Sequence, residues 1–158
     1  MAVSCYNKSM NNKVLYDKED EELINQYKWY KPRLYHPRSK TMYVTGYKDG
    51  KKVLMHRLVM HSPKGNIDHI NGNGLDNRKI NLRVVTRSQN GANNDKYKNN
   101  TSGYKGVSWH KKRKVWQASL SHNGHTVFIG RFNNPIEAAV AYDKKSVELF
   151  GDYSKHNF

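Results

Sequence analysis

The stretch IDHINGNGLDNRKINLRVVTRSQN, residues 67–90, sets one acid beside one histidine and crowds asparagines where strands and a helix are due. Ile67 to Ile70 has the length of a short strand, and NGNGLDN after it is dense in turn residues. Asn81 to Val85 supplies the return strand, with Leu82 and Val84 on one face and Asn81, Arg83 and Val85 on the other. Thr86-Arg87-Ser88-Gln89 fits a capping box, so a helix opens there and holds Asn90 in its first turns. If that helix folds across the hairpin, Asp68, His69, Asn81 and Asn90 converge at one end. A carboxylate and an amide oxygen suit a hard divalent cation such as Mg²⁺, which takes few protein ligands and leaves positions for phosphate and water. The adjacent imidazole can take a proton from water near neutral pH. This is the inventory for metal-assisted phosphodiester hydrolysis. The plain alternative is an Asx-rich loop whose Asp-His pair is solvated or locally hydrogen-bonded. Against it, Asn90, Gly91, Asn93 and Asn94 each disfavour a helix interior by roughly 0.5 to 1 kcal/mol relative to Ala. Local rules broken together point to a site.

Outward from this stretch, charge is the strongest signal. The 158 residues carry 28 Lys+Arg against 13 Asp+Glu, a formal charge of +15, which reads as a footprint for a polyanion. Residues 1–30 hold 4 basic and 5 acidic side chains, leaving 24 basic against 8 acidic beyond them. The polyanion-facing surface is therefore expected after Trp29. No stretch approaches the roughly 20 apolar residues of a spanning helix, and the N-terminus lacks the apolar core of a secretory signal. Membrane binding is set aside and a cytoplasmic setting is expected. Cys5 is the single cysteine, so neither an internal disulfide nor a multi-cysteine structural zinc site can form within the chain.

The length allows one ordinary domain or two small ones. Upstream, Val14 to Tyr16 reads as a strand and Asp17 as the N-cap of a helix with acids in its first turn. Tyr43 to Tyr47, Asp49-Gly50 and KKVLM form a hairpin around a type I′ turn, and HRLVM continues as a short helix ended by Ser62-Pro63-Lys64-Gly65. Residues 91–103, GANNDKYKNNTSG, have linker character. Beyond them GVSWH, VWQASL and TVFIG are three short strands, the last two joined at Asn123-Gly124, and Asn134-Pro135 opens a helix. Ile136, Ala139, Val140, Val147 and Phe150 fall on one stripe of that helix, with Gly151 at its stop. The fold class is α+β.

With MHRLVM before it, the quoted stretch resembles the HNH endonuclease family over roughly residues 53–94, in the phage and intron-associated branch whose last ligand is Asn. The resemblance implies a ββα-metal module in which Asp68 and Asn90 hold one divalent cation, Mg²⁺ first and Mn²⁺ second. It makes His69 the general base and Asn81 the residue that orients His69 by a hydrogen bond across the hairpin. The implied products are a 5′-phosphate and a 3′-hydroxyl. His56 and Arg57 also match the pattern. They have two readings of equal weight: phosphate contacts at the rim, or packing and capping of a short helix. Many relatives brace this fold with a four-cysteine zinc site; here the hairpin over residues 43–55 must do so.

Residues 103–158 resemble the AP2 DNA-binding domain, through Gly106-Val107, Trp116-Gln117-Ala118, Ile129-Gly130-Arg131-Phe132, Glu137-Ala138-Ala139 and Ala141-Tyr142-Asp143. The resemblance implies a three-stranded sheet laid in the DNA major groove, with Lys105, Ser108, His110, Gln117, Ser119, Thr126 and Phe128 facing DNA. Arg113, in the cationic turn HKKRK, is assigned to phosphate. Trp109 and Trp116 could stack on sugars, with at least one of them buried against the helix. Asp143, on the apolar stripe of the helix, is read as a buried hydrogen-bond partner rather than a ligand. Plant members carry arginines and a tryptophan where this chain has shorter polar groups, so their target sequence does not transfer.

These readings divide the chain into a scaffold (1–52), a nuclease core (53–94), a basic linker (95–102) and a DNA-reading module (103–158). They describe a site-directed, homing-type endonuclease that nicks one strand of double-stranded DNA as a monomer, with no small-molecule substrate. Two rivals stand beside it. One is an AP2-type regulator whose nuclease half is inactive; the other is a basic RNA-binding or ribosome-associated protein, which explains the charge but not Asp68, His69 and Asn90 together.

Overall fold

The computed structural model describes residues 2–5, 14–34, 41–96 and 99–158. Tyr97 and Lys98 of the expected linker lie outside the described residues. The chain forms two compact units, Met1–Val85 and Thr86–Phe158.

In the first unit β1 (Ala2–Cys5) pairs antiparallel with β2 (Val14–Asp17), and a 3₁₀ turn at Lys18–Asp20 leads into α1 (Glu21–Asn25). Asp17 does not cap this helix as its position suggests. Its Oδ2 instead accepts the Lys79 backbone N–H at 2.7 Å, since a carboxylate beside an unfilled amide of a distant loop finds a stronger partner there. A second sheet orders β3 (Lys28–Leu34), β4 (Met42–Lys48) and β5 (Lys51–Leu54). β4 and β5 reverse through Asp49-Gly50, at φ 51° and 73°, the expected turn chemistry. α2 (Met55–Val59) follows directly, and then the hairpin of β6 (Asn66–His69) and β7 (Leu82–Val85).

Val14, Tyr16, Ile24, Val44, Met55, Val59, Ile67 and Leu82 form one core, with Trp29, Met60 and Leu75 packed against it. Faces of β2 and β4, stripes of α1 and α2 and the inward face of the hairpin thus close on each other, and each such apolar side chain contributes about 1.5–3 kcal/mol by leaving water. Val84, expected on the face of Leu82, is 44% exposed, while Leu82 and Val85 are both buried. A strand of four residues does not hold its two-residue alternation to its end. The loop between β6 and β7 is stitched to β2: Leu15 N–H donates to Leu75 O at 2.9 Å and Leu15 O accepts from Asn77 N–H at 2.8 Å. It also runs flush with the start of β4, since a Cβ on Gly74 would lie 2.3 Å from the Met42 carbonyl oxygen.

The second unit begins with α3 (Arg87–Asn93), closed by both bonds of the expected capping box, Gln89 N–H to Thr86 Oγ1 at 3.2 Å and Thr86 N–H to Gln89 Oε1 at 2.9 Å. β8 (Val107–His110), β9 (Val115–His122) and β10 (His125–Phe132) make an antiparallel sheet in the order β10-β9-β8, covered by α4 (Pro135–Phe150). Asn134 Oδ1 accepts the Ile136 N–H at 2.8 Å, so Asn134 caps α4 ahead of Pro135. The buried stripe of α4 is Ala138, Ala139, Tyr142, Ser146 and Phe150, whereas Ile136, Val140 and Val147 are 49%, 40% and 46% exposed. Small residues let the helix backbone approach the sheet, and that docking, rather than apolar character, selects the inward face. α3 packs within this unit: Ala92 joins its core, Ser88 Oγ accepts the Asn123 N–H at 3.0 Å, and Ala92 O accepts the Lys155 N–H at 3.1 Å. Packing therefore divides the chain at Val85/Thr86, ahead of the stretch expected as linker.

Candidate functional site

Asp68 and His69 are the last two residues of β6, 7% and 4% exposed. The hairpin register sets Asp68 opposite Arg83 and His69 opposite Leu82. Arg83 Nε donates to Asp68 Oδ2 at 3.0 Å, and an Arg83 terminal nitrogen stands 3.0 Å from the same oxygen. The acid of the quoted stretch is thus gripped from the facing strand, by a residue that the sequence reading placed on a strand face and gave no role.

Asn81 is 6% exposed, but its amide serves the loop. Nδ2 donates to Asn71 Oδ1 at 3.0 Å and to Asp76 O at 2.8 Å, and Oδ1 accepts the Asn71 N–H at 3.0 Å. The expected bond from Asn81 to His69 is not among these contacts. The nearest link is through the backbone, where Asn81 O accepts the Ile70 N–H at 2.9 Å, one residue beyond His69. Asn71, Asn73 and Asp76 complete the same network: Asn73 N–H donates to Asn71 Oδ1 at 2.8 Å, and Asp76 receives Arg78 Nε at 2.7 Å and Asn71 Nδ2 at 3.0 Å. The Arg78 guanidinium holds the Asp76 carboxyl below the usual carboxylate range. Side-chain amides thereby replace the missing sheet ladder of a loop 2% to 1% exposed at Asp76 and Asn77.

His69 lies in a cluster of rings. His56, from α2, stands 5.2 Å away centroid to centroid with its plane at 85°, and Tyr43, from β4, stands 5.7 Å from His69 and 5.2 Å from His56. Burial pushes the His69 imidazole below its ordinary range, while the Asn77 amide and the carboxylates of Asp68 and Asp76 act the other way. Burial, then the charges of His69 and Arg57, pull His56 down to about 3. Tyr43 is raised by burial and by Asp68. His56 is therefore not a rim contact: it is 7% exposed and belongs beside His69. Arg57 follows the packing alternative, its guanidinium donating to Pro63 O at 2.6 Å and Gly65 O at 3.1 Å to close the α2–β6 turn. The signal for His56 lay in MHRLVM, where the histidine sits among apolar residues; Tyr43 carried none.

Asn90 lies in α3, half-buried, with its backbone N–H donating to Thr86 O at 3.0 Å. It belongs to the second unit.

In the second unit the outer face of the sheet carries polar rows. Ser108 pairs with Gln117, Phe128 with Ser119 and Thr126 with Ser121. Gln117 Nε2 donates to Ser108 Oγ at 3.3 Å. A bulge between Phe128 and Gly130 shifts the register, so Arg131 pairs with Gln117 and its guanidinium lies 5.0 Å over the Phe128 ring. Plain alternation from Thr126 and Phe128 would put Gly130 on that face; the extra residue exchanges it for Arg131. His110 is half-buried, with Nδ1 accepting the Arg113 N–H at 3.3 Å, and residues 111–114, including Arg113, are exposed. Lys105 departs from expectation. It is half-buried, its ammonium donates to Ala92 O, and burial pulls it down to about 8. Trp109 is 43% exposed and packs at 5.0 Å on the half-buried Trp116. Asp143 accepts from Asn157 N–H, Asn157 Nδ2 and Phe158 N–H at 2.9 to 3.2 Å, a hydrogen-bond partner as expected but half-buried rather than buried.

Among the described residues no helix is long and apolar enough to cross a membrane. Residues 53–92 match the HNH endonuclease family. Protein 3.8 of Escherichia phage T7 is 44% identical over 63 residues, 39% of this chain and 52% of its own length, so the chain spans about half of that relative. An uncharacterized HNH endonuclease of Acanthamoeba polyphaga mimivirus is 32% identical over 145 residues, 85% of this chain and 69% of its own. No solved structure gives a significant match.

Proposed function

The chain belongs to the HNH endonuclease family, a family of metal-dependent phosphodiesterases, and on that premise we propose that it is a homing-type DNA endonuclease that nicks one strand of a duplex. One observation carries the reading: Asp68 and His69 stand side by side, buried, at the end of a hairpin, and burial favours the neutral imidazole. A neutral imidazole at working pH is a base ready for a proton.

His69 takes one proton from a water molecule as its oxygen attacks phosphorus. The bond to the 3′-oxygen breaks, and that oxygen takes a proton from solvent, leaving a 5′-phosphate and a 3′-hydroxyl. Asp68 offers a carboxylate, a hard donor of the kind a divalent cation takes, whose Oδ2 already faces Arg83; the HNH likeness would add the Asn90 amide oxygen as the second donor. Mg²⁺, or second Mn²⁺, at Asp68 would supply Lewis-acid stabilisation of charge on the phosphate and the leaving oxygen. Asn81 acts at one remove, by keeping the loop after His69 in shape. The polar outer face of the second unit, similar to an AP2 sheet, reads double-stranded DNA through Ser108, Gln117, Ser119, Thr126, Phe128 and Arg131, with Arg113 on phosphate. A monomer with one such site contacts one strand.

The test uses purified protein with phage or host DNA, in Mg²⁺ or in EDTA, beside His69→Ala and Asp68→Ala. Metal-dependent nicking that both substitutions abolish, with duplex affinity within about threefold, is expected. Binding without nicking under any divalent cation would instead make this chain a DNA-binding regulator. Preference for structured RNA over duplex would point to an RNA-binding protein.

A further inference from the structure

We propose that His56 is a positioning residue for His69: its buried ring, set edge-on, fixes the angle at which the His69 imidazole meets water at the scissile phosphate. The inference rests on the reading of His69 as the base.

Three elements contribute one ring each, Tyr43 from β4, His56 from α2 and His69 from β6, and every ring touches the other two at 5.2 to 5.7 Å. The planes stand at 85° between the histidines, 60° between Tyr43 and His56, and 43° between Tyr43 and His69. Turning His69 about its side-chain bonds would drive its ring into one of the other two, because close-packed interiors leave no slack. His56 is in turn fixed by its helix, whose Met55 and Val59 are 2% and 0% exposed. The docking of α2 into the core thereby sets the orientation of an imidazole on a different element.

Hydrogen bonding at Nδ1 does not explain the presence of His56. Nδ1 is buried with no hydrogen-bond partner among the described residues, an arrangement that weakens a fold rather than strengthens it. An aliphatic residue of similar volume would fill the place without that cost. What the imidazole supplies is a thin, planar edge between two other rings. Burial disfavours a charge on this ring, so it packs against His69 as a neutral planar group.

The experiment compares His56→Leu, which keeps volume and loses planarity, with His56→Phe, which keeps a planar edge and loses both nitrogens. Leu is expected to lower kcat roughly 10- to 100-fold with KM unchanged, the scale of a small misplacement of a reacting group. Phe is expected to restore most of that loss. Parental kcat in the Leu variant, a loss confined to KM, or a Phe variant as slow as Leu would each overturn the proposal. Nuclear Overhauser contacts from the His69 ring to Tyr43 give a second reading in the same proteins. They should survive in Phe and weaken in Leu, and their survival in both would also overturn it. If the parent protein itself cleaves no DNA, the nuclease reading falls alone, and these contacts still decide whether His56 orients His69.

Discussion

At the scale of single residues, the carboxylate that the proposed chemistry needs is already engaged. Arg83 grips Asp68 from the opposite strand, with side-chain exposures of 15% and 8%. Removing one partner of a buried ion pair costs about 3 kcal/mol or more, so Arg83→Ala should lower the urea midpoint clearly. A divalent cation at Asp68 would replace the lost positive charge, and saturating Mg²⁺ should then raise Tm more in Arg83→Ala than in the parent. Equal shifts in both would remove Asp68 from the ligands of the ion. The histidine cluster makes a prediction of its own. His56 titrates at about 3 in the folded protein against 6.5 as its ordinary value, so the unfolded chain binds this proton first. Stability present above pH 6.5 is therefore lost as pH falls toward 3, by up to roughly 1.4 kcal/mol per pH unit for one proton. His69, also lowered, acts in the same direction. Tm followed from pH 7 to 4 should fall less steeply in His56→Leu; parallel curves would contradict the burial of a neutral ring.

At the scale of elements, spacing and turn chemistry carried most of the prediction and packing corrected the rest. The capping box, both Asn-Gly and Asp-Gly turns and the helix cap at Asn134 were legible because each is a local rule, satisfied within a few residues; the β6–β7 hairpin was legible from two short apolar runs about a dense run of turn residues. The inward stripe of α4 was not, because apolar character alone does not say which face docks. Ala138 and Ala139 are buried while Ile136 and Val140 stay exposed. The bulge in β10 was equally hidden, and it decides that Arg131 shares a face with Gln117 and Phe128. An arginine reading a base edge is worth about 1–3 kcal/mol. Arg131→Ala should thus weaken duplex binding on that scale and relax preference at one base pair, read by selection from a randomised duplex pool. Uniform weakening across all sequences would make it a phosphate contact instead. Tight helix-on-sheet packing can be tested at Gly106, which has φ +74° and where a Cβ would lie 2.0 Å from the Tyr142 ring. Gly106→Ala combines a strained backbone with a ring overlap and should cost about 4 kcal/mol or more, visible as early melting of the second unit in circular dichroism.

At the scale of the whole molecule, a charge of +15 concentrated beyond the first 30 residues is a statement about a polyanion. If six to eight phosphates are neutralised, log K for duplex should fall against log[salt] with a slope of about −5 to −7; a flat response would refute a backbone-driven footprint. The amino-acid sequence by itself carried the expectation of a polyanionic partner, the α+β elements, the Asp68-His69 pair and the asparagine-rich turn, because charge, periodicity and turn chemistry are properties of neighbours along the chain. Most of those asparagines, however, build the loop: Asn71, Asn73 and Asn81 bond one another and its backbone. Only the tertiary structure brought Tyr43 and His56 onto His69, set Arg83 on Asp68, and packed α3 with the second unit. Those contacts join elements far apart in sequence, and strand register and helix docking are settled by burial of the whole core, which no local rule encodes.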